Sequence, residues 1–391
     1  MTKPILYVYD DEQRVVDRII QRLSGPTMAK RSFEVKPLSN PQLNQELDLL
    51  ETRQKQAREG KKWVNNSILD GAAALLVDYD LLQAGVQGPS LVGETVAYYA
   101  RCFSRCGLIV GLNQFGPRTF DLSLKGHIES FADINIGSEH VANRNLWGKS
   151  KPGFHPWCWP SLPDFHRSHE LRMKDALDHL DQPILKTLGF GEDIELLLPR
   201  SAVEFLGETP LKITFRQFAC ESGNGFRRKD VPADDESAAR VAAARISKWL
   251  ERCILPGQDI LVDAPHLVPR FPSLLLGKLG SVSSWNRLAN KTSVAGIRAS
   301  AIQEAQLEKQ FWLSRPAWFW PLVAKSEKIA EVKAPWEMKP PKWVFCEDTS
   351  RFSDKDKCSE FVAETESAYA RRFVEKLSSE AEYRPAVRFS M

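Results

Sequence analysis

The sequence lacks long apolar runs and is poor in cysteine. No stretch reaches the roughly 18–20 apolar residues that a membrane-spanning helix needs, so we expect no transmembrane segment. The first residues, MTKPILYVYDDE, lack the apolar core and the cleavage site of a signal peptide. The seven cysteines among 391 residues are scattered and odd in number, which predicts reduced thiols and no disulfide framework. We therefore expect a cytoplasmic protein with no membrane contact.

An excess of one charge is also missing. The chain has 53 basic and 50 acidic residues, and its formal net charge is +3. This balance means that the net charge does not indicate nucleic-acid binding. A local basic patch that binds nucleic acid is not excluded by it. The length of 391 residues and a hydrophobic share of 43% predict two or three domains with well-formed cores.

Strand-like runs alternate with helical patterns in the first third of the chain. Such alternation predicts a parallel, doubly wound α/β sheet with helices on both faces. The polar stretch between the second and third runs predicts an extra exposed helix with a solvated charged face. The five runs are ILYVY (5–9), SFEVKPL (32–38), AALLVDY (73–79), GLIVGL (107–112) and ADINIG (132–137).

The composition changes near residue 145. A segment rich in proline, glycine and aromatic residues covers 143–165, which predicts an irregular connection. We therefore assign 1–145 to the α/β domain, 146–165 to a linker and 166–391 to an α+β domain. Within the last, the patterns predict helices at about 234–253, 297–313 and 359–377 and strands at 259–264 and 343–348.

Acidic residues follow two of the predicted strands. Asp10 and Asp11 end the first strand, and Asp78 ends the third. In a sheet of order 2-1-3-4-5 these strands are neighbours, and ligands bind at their carboxyl ends. Three converging carboxylates predict a cation site, and Mg²⁺ suits such hard oxygen ligands. The alternative is that Asp10 and Asp11 only cap the following helix, and Asp80 replaces Asp78 if the strand ends later.

These segments resemble the receiver domain of bacterial two-component response regulators over roughly residues 3–142. ILYVYDDE looks like the first strand of that family with its acidic pair, and LLVDYD looks like the third strand. GLIVGLN and FADINIG are similar to the fourth and fifth strands. The resemblance implies a flavodoxin-like fold, Mg²⁺ at Asp10, Asp11 and Asp78, and Asp78 as the phospho-acceptor.

Two family positions differ in this chain. The family has Ser or Thr at the end of the fourth strand, where this sequence has Leu112 and Asn113. It has Lys at the end of the fifth strand, where this sequence reads Ile136, Gly137, Ser138, Glu139. Switching depends on charge-assisted bonds to the new phosphate, so the domain is expected to be a divergent, degenerate receiver used for docking.

Two further clusters have ligand-type side chains. The spacing H-x2-C-x7-H-x2-H could supply zinc ligands, and the alternative is an aromatic interdomain plug with surface histidines. The segment ESGNGFRRKD could contact phosphate or nucleic acid, and the alternative is a solvated loop. The candidate zinc ligands are His155, Cys158, His166 and His169, and the candidate phosphate contacts are Arg227, Arg228 and Lys229.

Three weaker patterns favour structural roles. Glu331 and Lys333 form an E-x-K pattern that lacks an acidic partner in range, so an edge strand is the better interpretation. The aromatic run 311–321 favours an internal or protein-facing role over base stacking. Asp263 and His266 could form an acid–base pair, but a structural histidine is the commoner case.

The functional expectation is a signalling or adaptor protein with protein partners. Its receiver-like domain would dock onto partners or regulate the C-terminal domain. By analogy, a divergent receiver joined to an unfamiliar domain suggests a subunit of a multi-gene bacterial system, including anti-phage defence. The alternative is a metal-dependent enzyme with its active site in the C-terminal domain. The sequence does not name a partner, a kinase or a substrate.

Overall fold

The structure is a computed structural model, and its described residues cover most of the first two thirds of the chain and short parts of the rest. They are 3–24, 32–63, 66–79, 81, 92–113, 128, 130–137, 141, 144–147, 162–207, 209–221, 234–263, 266–267, 303–314, 316–325, 343–346, 351–362 and 371–374.

Five parallel strands form one sheet in the order β2-β1-β3-β4-β5. This is the predicted strand order, and the prediction of a doubly wound α/β sheet is confirmed. All seven residues of β3 are buried, as in a central parallel strand covered on both faces. The strands are β1 (Ile5–Tyr9), β2 (Glu34–Pro37), β3 (Ala72–Asp78), β4 (Leu108–Asn113) and β5 (Ile134–Gly137).

Three helices flank this sheet in the described residues. They are α1 (Gln13–Ser24), α2 (Asn40–Arg58) and α3 (Gly93–Phe103). Helix α1 buries Val16, Ile19 and Leu23, which recur at helical spacing, as the sequence predicts. The sequence also predicts a short helix at about 119–128, between β4 and β5, and nearly all of this segment lies outside the described residues.

Helix α2 corrects the expectation that the polar stretch forms a solvated face. It begins with a capping box, in which Gln42 accepts a hydrogen bond from the backbone N–H of Ser39. Its Arg53 is only 2% exposed and donates two hydrogen bonds, of 2.9 and 2.7 Å, to the carboxylate of Asp70. Burial alone would raise the pKa of Asp70, but the hydrogen bonds from Arg53 and from the backbone N–H groups of Ser67 and Arg105 together lower it. This charged residue therefore anchors the helix to the sheet.

Helices dominate the described residues from 144 to 254. They are α4 (Arg144–Trp147), α5 (Leu162–Asp178), α6 (Ile184–Thr187), α7 (Glu192–Glu195), α8 (Arg200–Glu204), α9 (Phe215–Glu221) and α10 (Asp235–Trp249). Helix α10 confirms the helix predicted near 234–253. Asp234 caps it by accepting a hydrogen bond from the Ser237 N–H, and a single π turn, Leu250–Ile254, follows it.

Short strands follow in the last third of the chain. One antiparallel pair joins β6 (Leu261–Asp263) to β7 (Ala317–Phe319), and the helix α11 (Trp320–Ala324) follows β7. A four-stranded sheet has the order β10-β11-β8-β9. Its strands are β8 (Trp343–Cys346), β9 (Arg351–Asp354), β10 (Ser359–Val362) and β11 (Arg371–Val374).

One predicted helix of this last third is wrong, and a second ends earlier than predicted. Where a helix was predicted over 359–377, the described residues form β10 and β11, which pair antiparallel. Where a helix was predicted over 297–313, residues 297–302 lie outside the described residues and residues 303–304 are helical. Residues 305–313 are not α-helical, and they include the 3₁₀ turn Gln310–Trp312. In 359–377, pairing with neighbouring strands outweighs the helical spacing of the apolar residues.

One hydrophobic core runs across the predicted domain boundary. It contains Leu75 of β3 and Val96 of α3 together with Ile246 and Trp249 of α10. Residues 148–161 of the predicted linker lie outside the described residues, so the domain limits stay a prediction. Among the helices that the structure describes, none is long and apolar enough to cross a membrane.

Candidate metal centre

Three carboxylates meet at the carboxyl edge of the parallel sheet. Asp10 and Asp11 directly follow β1, and Asp78 is the last residue of β3, which pairs with β1. One ligand oxygen from each of the three residues lies within 4.8 Å of the others. Asp10 and Asp78 are buried, and Asp11 is half-buried. The predicted convergence is therefore present, and no other such group of potential ligands occurs among the described residues.

Asp10 also shapes the start of helix α1. Its Oδ1 accepts a hydrogen bond of 2.9 Å from the N–H of Glu12, and α1 begins at Gln13. The capping interpretation of this residue is thus partly correct, because the carboxylate satisfies a backbone donor just before the helix. Asp10 therefore accepts this hydrogen bond and also contributes an oxygen to the cluster.

Burial and mutual repulsion raise the proton affinity of the site. Burial, with further contributions from Asp11 and Glu12, raises the pKa of Asp10 to about 6. Burial also raises the pKa of the neighbouring Tyr9 to about 12, and all three aspartates contribute to that rise. These shifts mean that the ionised carboxylates are energetically unfavourable here. A bound cation would remove this penalty.

Glycine lets helix α3 approach the backbone of the site closely. A Cβ on Gly93 would lie 2.2 Å from the carbonyl oxygen of Asp78 and 2.6 Å from the Cα of Tyr79. The N–H of Gly93 donates to the carbonyl oxygen of Tyr79 at 3.2 Å. The first turn of α3 is therefore fixed directly against the end of β3.

Tyr79, the residue after Asp78, connects this edge to α3 and to β5. Its hydroxyl donates to Glu94 Oε2 at 2.6 Å and lies 2.7 Å from the Ser130 hydroxyl. The same carboxylate accepts from the Ser130 hydroxyl at 2.7 Å and from the Phe131 N–H at 2.6 Å. Burial and the adjacent Glu94 raise the pKa of Tyr79 well above its usual value. The Tyr79 ring crosses Gly111 so closely that any Cβ there would clash with it.

Lys248 of helix α10 continues this network from the C-terminal half. Its Nζ donates to the carbonyl oxygen of Ser130 at 2.7 Å and to that of Ala132. Burial lowers the pKa of Lys248 from 10.5 to about 7, although Glu94 and Asp133 oppose this shift. Hydrogen bonds thus run from the residue after Asp78 to helix α10. We call Tyr79, Glu94, Ser130 and Lys248 the relay.

The histidines predicted as zinc ligands have a different environment. His166 and His169 lie one turn apart on α5, whereas His155 and Cys158 lie outside the described residues. His169 is fully buried, and its Nε2 lies 3.5 Å from Nη1 of Arg101, which pairs with Asp133. Burial and nearby arginines lower the pKa of His169 well below its usual value. The adjacent guanidinium disfavours a second cation at His169, and zinc stays a prediction.

Most of the other predicted sites lie outside the described residues, namely Arg227, Arg228, Lys229, Glu331, Lys333 and Asp80. Asp263 and His266 are in contact, with Oδ1 and Nδ1 2.5 Å apart, although a structural histidine was the favoured interpretation. The aromatic run has the expected internal role, since Trp312, Trp318 and Phe319 are all less than 5% exposed.

The relay was missed by sequence reasoning. Tyr79 and Glu94 are close in sequence to Asp78, but Ser130 and Lys248 are distant and carry no motif. Lys248 lies on a predicted helix near its apolar stripe, where a lysine normally reaches solvent. The sequence held one weak signal for the relay. Glu94 lies in the first turn of α3, the first described helix after β3, and β3 ends in Asp78.

Fold and site together define an α/β protein with a five-stranded parallel sheet and an acidic cluster at its carboxyl edge. Comparisons with protein-family models, with curated proteins and with solved structures gave no match. The resemblance to receiver domains therefore depends on the residues quoted above, and the functional argument depends on the geometry of this chain.

Proposed function

We propose that this chain is a signalling or adaptor protein whose receiver-like domain binds Mg²⁺ and regulates the C-terminal half. The observation that carries the proposal is the convergence of Asp10, Asp11 and Asp78 at the junction of β1 and β3. Like charges this close repel, and a divalent cation with several retained waters relieves the repulsion.

Asp78 is the proposed phospho-acceptor. With a cation beside it, one carboxylate oxygen of Asp78 attacks the phosphorus of a small acyl phosphate, and the carboxylate of the donor leaves. The residues at the ends of β4 and β5 would weaken the conformational change that phosphorylation of Asp78 causes in such a domain. Asn113 ends β4 and pairs with Gly137 of β5, so neither position supplies a hydroxyl or an ammonium group. Docking of partner proteins is therefore the main proposed use of the domain.

The relay supports regulation of the C-terminal half. Tyr79 is covalently joined to Asp78, and Lys248 lies on α10, whose residues are nearly all buried. A shift at the end of β3 would alter the Tyr79 hydrogen bonds and, through Ser130, those of Lys248. By analogy with other divergent receivers, the proposed partners are proteins of a multi-gene bacterial system, including anti-phage defence.

Cation and beryllofluoride titrations test this proposal. Mg²⁺ binding is measured by calorimetry with and without beryllofluoride, and phosphorylation by acetyl phosphate is measured by intact mass. We expect Mg²⁺ binding that Asp78→Asn weakens roughly tenfold or more, about 1.4 kcal/mol. Asp17→Asn, an exposed acid on α1, should bind as the wild type does. Absence of Mg²⁺ binding would contradict the metal centre, and binding without phosphorylation would leave docking alone.

The Asp263–His266 pair favours a second candidate function, an enzyme with its site in the C-terminal half. Asp263 is fully buried and accepts from both the backbone N–H and the ring of His266, which orients the imidazole. An oriented histidine of this kind can act as a general base. Elemental analysis tests the metal-dependent form of this candidate. It predicts a stoichiometric transition metal that is lost on substitution of Cys158, one of the predicted zinc ligands.

A further inference from the structure

Two cysteine thiols lie next to each other in the four-stranded sheet of the last third. Cys346 is the last residue of β8 and is fully buried, whereas Cys358 is half-buried. Their sulfur atoms are 3.3 Å apart. Strand β9 lies between the two residues in the sequence, and neither residue belongs to a cysteine motif.

The topology of the sheet fixes this contact. β9 and β10 are its two edge strands, and the chain crosses from one to the other through the 3₁₀ turn Lys355–Lys357. Asp354 caps the turn by accepting from the Asp356 N–H at 3.1 Å. Cys358 directly follows the turn, and its backbone N–H donates to Lys355 while its thiol donates to the Asp354 carbonyl oxygen. Cys358 is thus held on the crossing, beside Cys346.

We propose that Cys346 and Cys358 are a reversible redox-modification site that reacts with low-molecular-weight disulfides such as oxidised glutathione. The sulfurs must approach by about 1.2 Å to reach the length of a disulfide bond. The predicted reduced state of the cysteines is the resting form. The site is independent of the acidic cluster.

The difference in burial sets the order of the two steps. The more exposed thiolate of Cys358 attacks one sulfur of oxidised glutathione, so a mixed disulfide forms and one glutathione thiolate leaves. The thiolate of Cys346 then attacks the Cys358 sulfur, and the second glutathione leaves. Two protein thiols are oxidised to one disulfide, one glutathione disulfide is reduced to two thiols, and the two protons pass to the departing thiolates.

Mass spectrometry after thiol blocking tests the site. The native full-length chain is treated with oxidised glutathione, denatured and alkylated with N-ethylmaleimide. Of the seven cysteines, two fewer should be alkylated than in the untreated protein, with no glutathione retained. Peptide mapping should join Cys346 to Cys358, and dithiothreitol should restore full alkylation.

Single serine variants separate the two roles. Cys346→Ser should retain one glutathione on Cys358, because the resolving thiol is gone. Cys358→Ser should retain none on Cys346, which is buried, and should lose no alkylation. Cys253→Ser, a half-buried cysteine elsewhere, should still lose two alkylation sites. Full alkylation of the treated wild type, or a disulfide that maps to other cysteines, would overturn the proposal.

Discussion

At the scale of single residues, Asp10 has two roles that oppose each other. Its carboxylate caps the start of α1, which favours the ionised form, yet burial beside Asp11 raises its pKa to about 6. The folded state therefore holds a proton on Asp10 more tightly than the unfolded state, whose value is near 3.8. Stability without a cation should fall as the pH rises through this interval.

Asp10→Asn should remove this dependence. In the presence of EDTA at pH 7.5 we expect the variant to be more stable than the wild type by about 1–3 kcal/mol, since it buries no charge. At pH 3, which is below both pKa values, most of this difference should vanish, because Asp10 is then mostly protonated in both states. Urea unfolding at the two pH values measures this. In the same variant Mg²⁺ should no longer stabilise the protein at pH 7.5.

Asp17→Asn is the matched control, because Asp17 is exposed on α1 and bonds only to Gln13 in the described contacts. It should show neither the gain at pH 7.5 nor the loss of the Mg²⁺ effect. Equal stability of Asp10→Asn and the wild type at pH 7.5 in EDTA would mean that the buried charge of Asp10 carries no energetic penalty and that its pKa is not raised.

The acidic residues could be predicted because their positions follow from strand ends. Carboxyl ends of adjacent parallel strands meet, so an acid after β1 and an acid at the end of β3 must lie close together once the strand order is right. Ser130 and Lys248 offer no such rule. Their contact depends on how helix α10 packs on the loop before β5, which local patterns do not encode.

At the scale of elements, helix α10 is buried on all sides. Besides its apolar residues it buries Arg240, Arg245 and Lys248, and the Arg245 guanidinium packs over the rings of Phe131 and Phe205. The helix itself was predictable from its cap and its apolar stripe. Its central position was not, because charged residues at these spacings normally indicate a solvated face.

Lys248→Met should remove a pH dependence of stability. The folded pKa of Lys248 is about 7 and the unfolded value is near 10.5, so between these values the unfolded chain binds the extra proton. The wild type should therefore gain stability as the pH rises from 7 to 10, by about 2–4 kcal/mol from this residue. Thermal or urea unfolding of Lys248→Met should lack this part of the gain.

The exposed Lys186 provides the control for this measurement. Lys186→Met should keep the wild-type slope between pH 7 and pH 10. If stability changes equally with pH in Lys248→Met and in the wild type, the pKa of Lys248 is not lowered by burial in α10.

At the scale of the whole molecule, the parallel sheet and the helical part share one core. The strand order of the first part followed from alternating patterns and from adjacent strand ends, which are local rules. The antiparallel pair of β10 and β11 did not, because the apolar spacing of 359–377 fits a helix and only pairing with β8 makes these segments strands. The single core formed by residues from both sides of the predicted domain boundary also could not be predicted, because no local sequence pattern indicates it.

This shared core allows the acidic cluster to affect helix α10, and Tyr79→Phe tests the route. In the wild type, Mg²⁺ with beryllofluoride should change amide hydrogen exchange in α10 about fivefold, a coupling of about 1 kcal/mol. Tyr79→Phe removes only the hydroxyl that bonds Glu94 and Ser130, so Mg²⁺ should still bind while the change in α10 disappears. Tyr99→Phe, a change on α3 at a tyrosine whose hydroxyl donates to Gln54 of α2, should respond as the wild type does. If Tyr79→Phe also responds fully, the acidic cluster reaches α10 by packing and not through the relay.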